Sequence, residues 1–236
     1  MKRILGQMRR AIQDFDMINE GDKILVGLSG GKDSMVLLYA LSAYQKFCPV
    51  HFDLAAVHMS MGFENSDDTA IREFCEELEV DYHKIDTDIG KIVFDIREEK
   101  NPCALCARMR RGALHNEVKK MGFNKIALGH HADDALETLF MSMLYEGRVS
   151  TFKPNTYLSR KEIYNIRPFV YITEKQILGA VHKKNIPVVK SPCPADKKTK
   201  REEIKNMLNE IYKENPKSRE RLMTALQNEE NFQLWF

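Results

Sequence analysis

The sequence predicts an α/β protein: a doubly wound, mostly parallel five-stranded sheet with a C-terminal helical tail. Three observations carry this. Apolar runs of strand length alternate with stretches of helical spacing over about the first 190 residues. The first of these runs, KILVGL (23–28), passes through a small-residue loop straight into an apolar helix. From about residue 191 the texture becomes charged, strand-free and helical.

The elements follow in order. Further strands are expected at FDLAAVHM (52–59), DYHKIDT (81–87), KIALGH (125–130) and IYNIRPF (163–169). Helices are expected at KDSMVLLYALSAYQKF (32–47), SDDTAIREFCEELE (66–79) and ADDALETLFMSMLYEG (132–147). The second opens on a serine and an acidic first turn, and the third opens acidic and stops at a glycine, as capping and the helix dipole favour. Pro216 divides the tail into two helices. This organisation predicts one domain over 1–190, N-terminal helix included, with 191–236 a helical extension packed on it. Ligands belong at the C-terminal ends of parallel strands.

Composition narrows the class. Of 236 residues, 43% are apolar and 30% charged, ordinary for a globular chain with a core. A net charge of +2 does not announce nucleic acid, so any basic surface must be local. The N-terminus, MKRILGQMRRAIQDFDMI, is charged throughout, and no apolar run approaches the roughly 18 residues of a membrane span. The expectation is a cytoplasmic protein with no membrane partner. Five cysteines in a reducing compartment suit ligands, catalysts or buried thiols better than disulfides.

The stretch SGGKDS (29–34) lies at the first strand–helix junction. Gly30 and Gly31 permit the backbone conformations in which successive N–H groups converge on an anion. The helix N-terminus adds partial positive charge, and Ser29, Lys32 and Ser34 add donors. This is a phosphate cradle, although it matches neither the Walker A pattern nor G-x-G-x-x-G; the bland alternative is a plain Gly-Gly turn. SGGKDS resembles the PP-loop of the N-type ATP pyrophosphatases, an adenine nucleotide alpha hydrolase-like fold whose members include tRNA-thiolating enzymes, lysidine synthetase, GMP synthetase and asparagine synthetase.

Cys103 and Cys106 form a Cys-x-x-Cys pair in NPCALCARMRRGAL (101–114), and Cys193 stands between prolines in SPCPAD. Two thiols at that spacing suit a metal centre or a redox pair. Three cysteines suit a four-iron cluster with one iron free of protein ligand, and a Cys3His zinc site with His115 or His131 is the alternative. Cys48 and Cys75, on or beside apolar helix faces, read as core residues.

The order SGGKDS, Cys-x-x-Cys, LGHHADDALETLFMSMLYEG, IRPFVYITEKQI and a distal cysteine resembles the tRNA 2-thiocytidine synthetase family (TtcA) and its 2-thiouridine-forming relative (TtuA), over roughly residues 20 to 205. The flanking zinc-finger cysteines of the 2-thiouridine branch are absent, which favours the 2-thiocytidine branch. The resemblance implies Cys103, Cys106 and Cys193 as ligands of a [4Fe-4S] cluster. It implies ATP contacts at Ser29, Gly30, Gly31, Lys32, Asp33 and Ser34, at His58, and at Gly129 and Asp134. It also implies a homodimer. Where the 2-thiouridine relatives carry a functional lysine, this chain has Arg110, which keeps the charge but not the proton-transfer ability.

The reaction so implied is ATP-dependent tRNA thiolation, with the C2 oxygen of a pyrimidine, an anticodon-loop cytidine, adenylated and replaced by sulfur. Mg²⁺ would bridge the phosphates, with Asp33 or Asp134 in reach. Catalytic roles fall to Asp33, Asp134, Cys103 and Cys106, while Asp133 reads equally as a helix N-terminal charge. His130 and His131 follow a strand end at the ligand edge. Sulfur would come from a cysteine desulfurase or free sulfide, by way of the cluster or of a persulfide on Cys103 or Cys106. Arg110, Arg111 and Arg167 are candidate RNA contacts, and Arg108, Arg148, Lys153, Arg160 and Lys161 could widen a basic surface. The stretch GRVSTFKPNTYLSRK (147–161) is expected as a long loop, with Phe152 and Tyr157 able to stack a base or serve a lid. Rival readings are a lysidine-synthetase-type ligase, thiolation of another pyrimidine, and a metal-stapled tRNA-binding adaptor.

Overall fold

A computed structural model of the chain describes residues 1–63, 67–97, 102–190, 192–194 and 199–228. These fall into two compact units, one formed by 1–131 with 153–196, the other by 132–152 with 197–236.

The first unit holds the sheet. Its strands are β1 (Asp22–Leu28), β2 (Phe52–Ser60), β3 (Asp81–Asp86), β4 (Lys125–Ala127), β5 (Asn155–Leu158) and β6 (Ile163–Ile166). Their order is β3-β2-β1-β4-β6-β5. All neighbours are parallel except β5, which runs antiparallel to β6 with Tyr157 opposite Tyr164. The sheet thus has six strands among the described residues where five were expected. The extra one corrects the long-loop reading of 147–161: NTYL is a short edge strand whose hydrogen bonds come from β6. The Tyr157 and Tyr164 rings meet at a tilt of 42°, 4.8 Å between centres.

The central strands are buried on both faces, as parallel strands require: Ile24, Leu25 and Val26 of β1 are fully covered. Helix α1 (Lys2–Asp14) and helix α2 (Lys32–Gln45) come first in the chain. Met35, Val36, Leu37, Leu38 and Leu41 of α2 are all inaccessible, so it is a core helix rather than a surface one. Helix α3 (Thr69–Glu77) starts after Asp68; the serine expected to open it, Ser66, lies outside the described residues. Short α4 (Ile89–Lys91) continues into a π turn, Ile92–Ile96. Helix α5 (Pro102–Lys120) then covers the sheet, with Leu114 and Val118 packed on Leu25, Val57 and Ile126.

The edge of the sheet away from the strand C-termini is locked by charge. Lys125 and Asp22 pair at 2.6 Å with side chains 4% and 8% exposed. Lys125 also donates to the Met17 carbonyl at 3.0 Å, and Asp22 accepts from the Asn19 N–H and the Asn124 amide. The ions are therefore hydrogen-bonded as well as paired, as a buried pair must be.

The second unit contains α6 (Ala132–Glu146), α8 (Lys200–Glu214) and α9 (Ser218–Gln227), packed through Leu136, Ile204 and Leu208. Pro216 does separate α8 from α9. Helix α7 (Glu174–Lys184) belongs to the first unit and packs on α2.

Candidate functional site

The loop after β1 is shaped by two glycines with different reasons to be there. Gly30 has φ +76°, and a Cβ there would sit 3.0 Å from Val189 Cβ and 3.1 Å from Ile71 Cδ1. Gly31 occupies the N-cap of α2, which receives no side-chain cap among the described residues, so the first-turn N–H groups stay available to an anion. The two serines brace this shape. Ser34 Oγ donates to the Gly31 carbonyl at 3.0 Å and accepts from the Ser29 N–H at 3.2 Å, while the Gly31 N–H donates to Ser29 Oγ at 3.3 Å. Gly129, past β4, is pressed on the same helix start: a Cβ would meet the Asp33 carbonyl carbon and Ser34 nitrogen, both at 3.0 Å.

Charge is organised around the loop. Lys32 Nζ lies 3.0 Å from Asp33 Oδ2 and 3.1 Å from Glu174 Oε1. Burial alone would lower its pKa, but the carboxylates of Asp33 and Glu174 together outweigh burial and hold it above the usual lysine range, so the cation persists. The other oxygen of Asp33, Oδ1, is buried and stands 3.5 Å from His131 Nε2. Glu174 had no place in the sequence reading. Its signal was TEKQ: Thr173 and Gln176 form a capping box that fixes the start of α7 and with it the glutamate.

A cavity of about 560 Å³ opens beside the loop, within the range of ligand pockets. Ser29 and Gly31 line one side, His58 and Ser60 at the end of β2 another, and Cys106, Arg110 and Cys193 a third. The segment that brings Cys193 is tied down by the Val189 N–H, which donates to the Gly30 carbonyl at 2.9 Å. His58 Nδ1 lies 3.1 Å from the Leu28 carbonyl, and burial lowers its pKa, keeping the ring neutral. Cys103 and Cys106 occupy the first turn of α5. Burial raises the Cys106 thiol, Arg110 opposes that, and Cys193 and Cys103 add to it, so the three sulfurs feel one another.

The sequence matches the PP-loop domain family over residues 3–211. It is 39% identical to the tRNA-cytidine(32) 2-sulfurtransferase of Vibrio cholerae serotype O1 (strain M66-2), over 96% of this chain and 74% of that protein. The chain belongs to the PP-loop family, in its tRNA-cytidine 2-sulfurtransferase branch. The Alcanivorax borkumensis protein of the same name is also 39% identical, over 96% of this chain and 81% of its own length. Among solved structures, the U34-tRNA thiolase NcsA from Methanococcus maripaludis, with its [4Fe-4S] cluster, superposes with TM-score 0.77 at 27% identity, covering 94% of this chain and 78% of that one.

For a PP-loop protein the sulfur ligands are the open chemical question, since the loop alone leaves the acceptor undefined. Among the described residues no three Cys, His, Asp or Glu side chains form a cage for a single ion. Among the described residues, neither His115 nor His131 lines the cavity that Cys106 and Cys193 share. Cluster thiolates bind separate irons and need no such cage, so two thiols lining one cavity, with Cys103 close enough to act on the charge of Cys106, fit a cluster. Cys75 is fully buried, as a core residue should be, whereas Cys48, expected in the core, is only half-buried in the loop after α2.

The remaining expected residues lie elsewhere. Asp134 belongs to the second unit, its Oδ1 3.6 Å from Arg201 Nη1, and its neighbour Asp133 pairs with Arg219. Arg201 also reaches Glu137 at 3.2 Å, whose pKa is raised by burial and by Asp134. Arg110 lines the cavity, whereas Arg111 donates to the Ala107 carbonyl and Arg167 to the Lys153 carbonyl. No helix among the described residues is long and apolar enough to cross a membrane.

Proposed function

We propose that this chain is an ATP-dependent tRNA sulfurtransferase that activates the C2 carbonyl of an anticodon-loop cytidine as its adenylate and replaces the oxygen with sulfur. The observation that carries the reading is one cavity walled by both the phosphate loop, through Ser29 and Gly31, and two thiols, Cys106 and Cys193. A phosphate-activating group and a sulfur-handling group in one mouth suit a reaction that needs both.

The chemistry has two displacements. The cytidine C2 oxygen attacks the α-phosphorus of ATP and pyrophosphate leaves; hydrosulfide then attacks C2, gives up its proton and expels AMP, leaving a C=S bond. Developing negative charge on the departing pyrophosphate falls to the uncapped N–H groups of the first turn of α2 and to Lys32, kept cationic by Asp33 and Glu174. Gly30 lets the loop close against Val189 and Ile71, and Gly129 lets the chain after β4 close against Asp33 and Ser34; Ser29 and Ser34 hold the loop's shape. Asp33, with a buried oxygen, would take Mg²⁺ directly or through water. Neutral His58 lines the base side of the cavity without adding charge. Cys103, Cys106 and Cys193 would hold a [4Fe-4S] cluster, which when bound supplies an iron with an open coordination site for sulfide. Sulfide comes free or from a cysteine desulfurase, and the enzyme works as a cytoplasmic homodimer.

The test is nucleoside analysis of tRNA from cells lacking the protein. Loss of 2-thiocytidine, restored by the wild-type chain and not by Cys193→Ala, is expected; an unchanged thionucleoside profile contradicts the proposal.

A further inference from the structure

Lys32 is held by two carboxylates, and the second comes from far along the chain. Asp33 Oδ2 lies 3.0 Å from Lys32 Nζ, and Glu174 Oε1 lies 3.1 Å from it. The Lys32 and Glu174 side chains are 25% and 22% exposed, so solvent screens this pair less than an ordinary surface one. An ammonium has three donors. Asp33 and Glu174 engage two of them among the described residues, which leaves the third for an incoming oxygen. The lysine stem is long and flexible. A partner one residue away on the same helix start cannot fix its amine against the rest of the fold. Glu174, on another helix, can.

A glutamate in the first turn of a helix is ordinarily a charge that answers the helix dipole. This one is aimed from behind. Thr173 and Gln176 form the capping box that starts α7. The Gln176 amide is used at both ends: Oε1 accepts from the Thr173 N–H at 2.9 Å, and Nε2 donates to Gln7 Oε1 of α1 at 2.6 Å. Gln7 in turn donates to the Tyr171 carbonyl at 3.0 Å. The Tyr171 hydroxyl donates to Asp14 Oδ2 at 3.0 Å, and Arg10 lies over its ring, 5.4 Å from the centre. Helix α1 thus grips both ends of the stretch 171–176 that launches α7. With Ile177 fully buried, α7 then packs on α2, the helix that Lys32 begins.

We propose that Glu174 is a positioning residue of the ATP site: held on aim by Gln7 of α1, it fixes the Lys32 ammonium for the β- and γ-phosphates. The role rests on the thiolation reading and deepens it, because the pyrophosphate that Lys32 steadies is the one released when the cytidine is adenylated. It makes the N-terminal helix, which carries none of the loop's residues, part of the nucleotide site. The amine is set in place when the chain folds, so ATP does not have to order it on binding.

The test is calorimetric titration of the full chain with ATP and, separately, with AMP, which lacks the β- and γ-phosphates. Glu174→Ala should weaken ATP binding about tenfold, the share of one charge-assisted hydrogen bond, and leave AMP affinity unchanged. Glu174→Gln, which keeps the reach and loses the charge, should recover part of the loss. Gln7→Met should weaken ATP binding about threefold. In a Lys32→Met background all three substitutions should be silent, because Glu174 and Gln7 act through that amine. Equal losses of ATP and AMP affinity, or losses that add in full to that of Lys32→Met, mean general support of the fold and overturn the role. Unchanged or tighter ATP binding by Glu174→Ala overturns it as well, the tighter case showing a carboxylate that competes with the phosphates for Lys32. Gln7→Met at wild-type affinity overturns the part given to α1. The full coupling in a chain that makes no 2-thiocytidine upholds Glu174 and overturns the thiolation reading alone. A wild-type chain that binds no ATP overturns both.

Discussion

Gly30→Ala is the sharpest perturbation of the site because two independent costs meet at one atom. An L-residue at φ +76° is strained by about 1–2 kcal/mol. The new methyl would also lie 3.0 Å from Val189 Cβ and 3.1 Å from Ile71 Cδ1, and forced overpacking costs about 1–3 kcal/mol. The Val189 contact cannot yield cheaply, since the same residue's N–H is bonded to the Gly30 carbonyl at 2.9 Å. Together these give about 2–5 kcal/mol, a fall in melting temperature on the order of 10 °C for a chain of this size. Relief by shifting Val189 would also move the segment that brings Cys193 to the cavity, so ATP affinity and iron incorporation should fall together. Circular dichroism melts, calorimetric ATP titration and iron content after anaerobic reconstitution report the three effects. Gly179→Ala, inside α7 with nothing within 4 Å of the new methyl, is the control and should gain up to about 1 kcal/mol. A Gly30→Ala protein that melts with the wild type and binds ATP equally would refute the packing account of the loop.

Other perturbations separate the two edges of the sheet. Lys125→Met strands Asp22 in the interior and should cost about 3–5 kcal/mol in urea unfolding while folded protein still binds ATP; a wild-type midpoint would mean the pair is not structural. Cys103→Ala, Cys106→Ala and Cys193→Ala should each abolish sulfur transfer with the melt retained, and activity in any one removes that thiol from the ligand set. Asp33→Ala should lose pyrophosphate release; unchanged release kinetics count against its role. Burial depresses the folded pKa of His58 and of His115. Below the ordinary histidine value of about 6.5 the unfolded chain takes up protons that the folded one does not, so stability falls with pH from there to the lowered folded values. His58→Gln should remove part of that loss, read as urea midpoints on either side of the window.

Much of this was legible in the chain because each signal is local. A strand running through SGGKDS into a helix needs only short-range chemistry, and β1, β2, β3 and β6 start within a residue of their expected positions. The helix starting at Lys32 and the break at Pro216 were equally local. What escaped depends on partners distant in sequence. Strand β5 exists because β6 offers it hydrogen bonds, and Tyr157 is held there by Tyr164 instead of standing in a lid. Expected strand residues 128–130 lie beyond β4, where Gly129 instead fits against Asp33 and Ser34. Glu174 reaches Lys32 across more than a hundred residues; the capping box foretells its helix but not its neighbour. The cysteines show the same limit, since spacing pairs Cys103 with Cys106 while only the fold brings Cys193 to the cavity that Cys106 lines.

The central claim is that nucleotide activation and sulfur insertion occur in one mouth. Its most direct measurement is an anaerobic single turnover of iron-reconstituted protein with ATP, tRNA and sulfide, with AMP, pyrophosphate and 2-thiocytidine quantified in the same quench. Equal amounts of the three, with no thionucleoside formed by Cys193→Ala, are predicted. AMP and pyrophosphate released without sulfur entering the RNA, or thiolation undiminished by Cys193→Ala, would contradict the account.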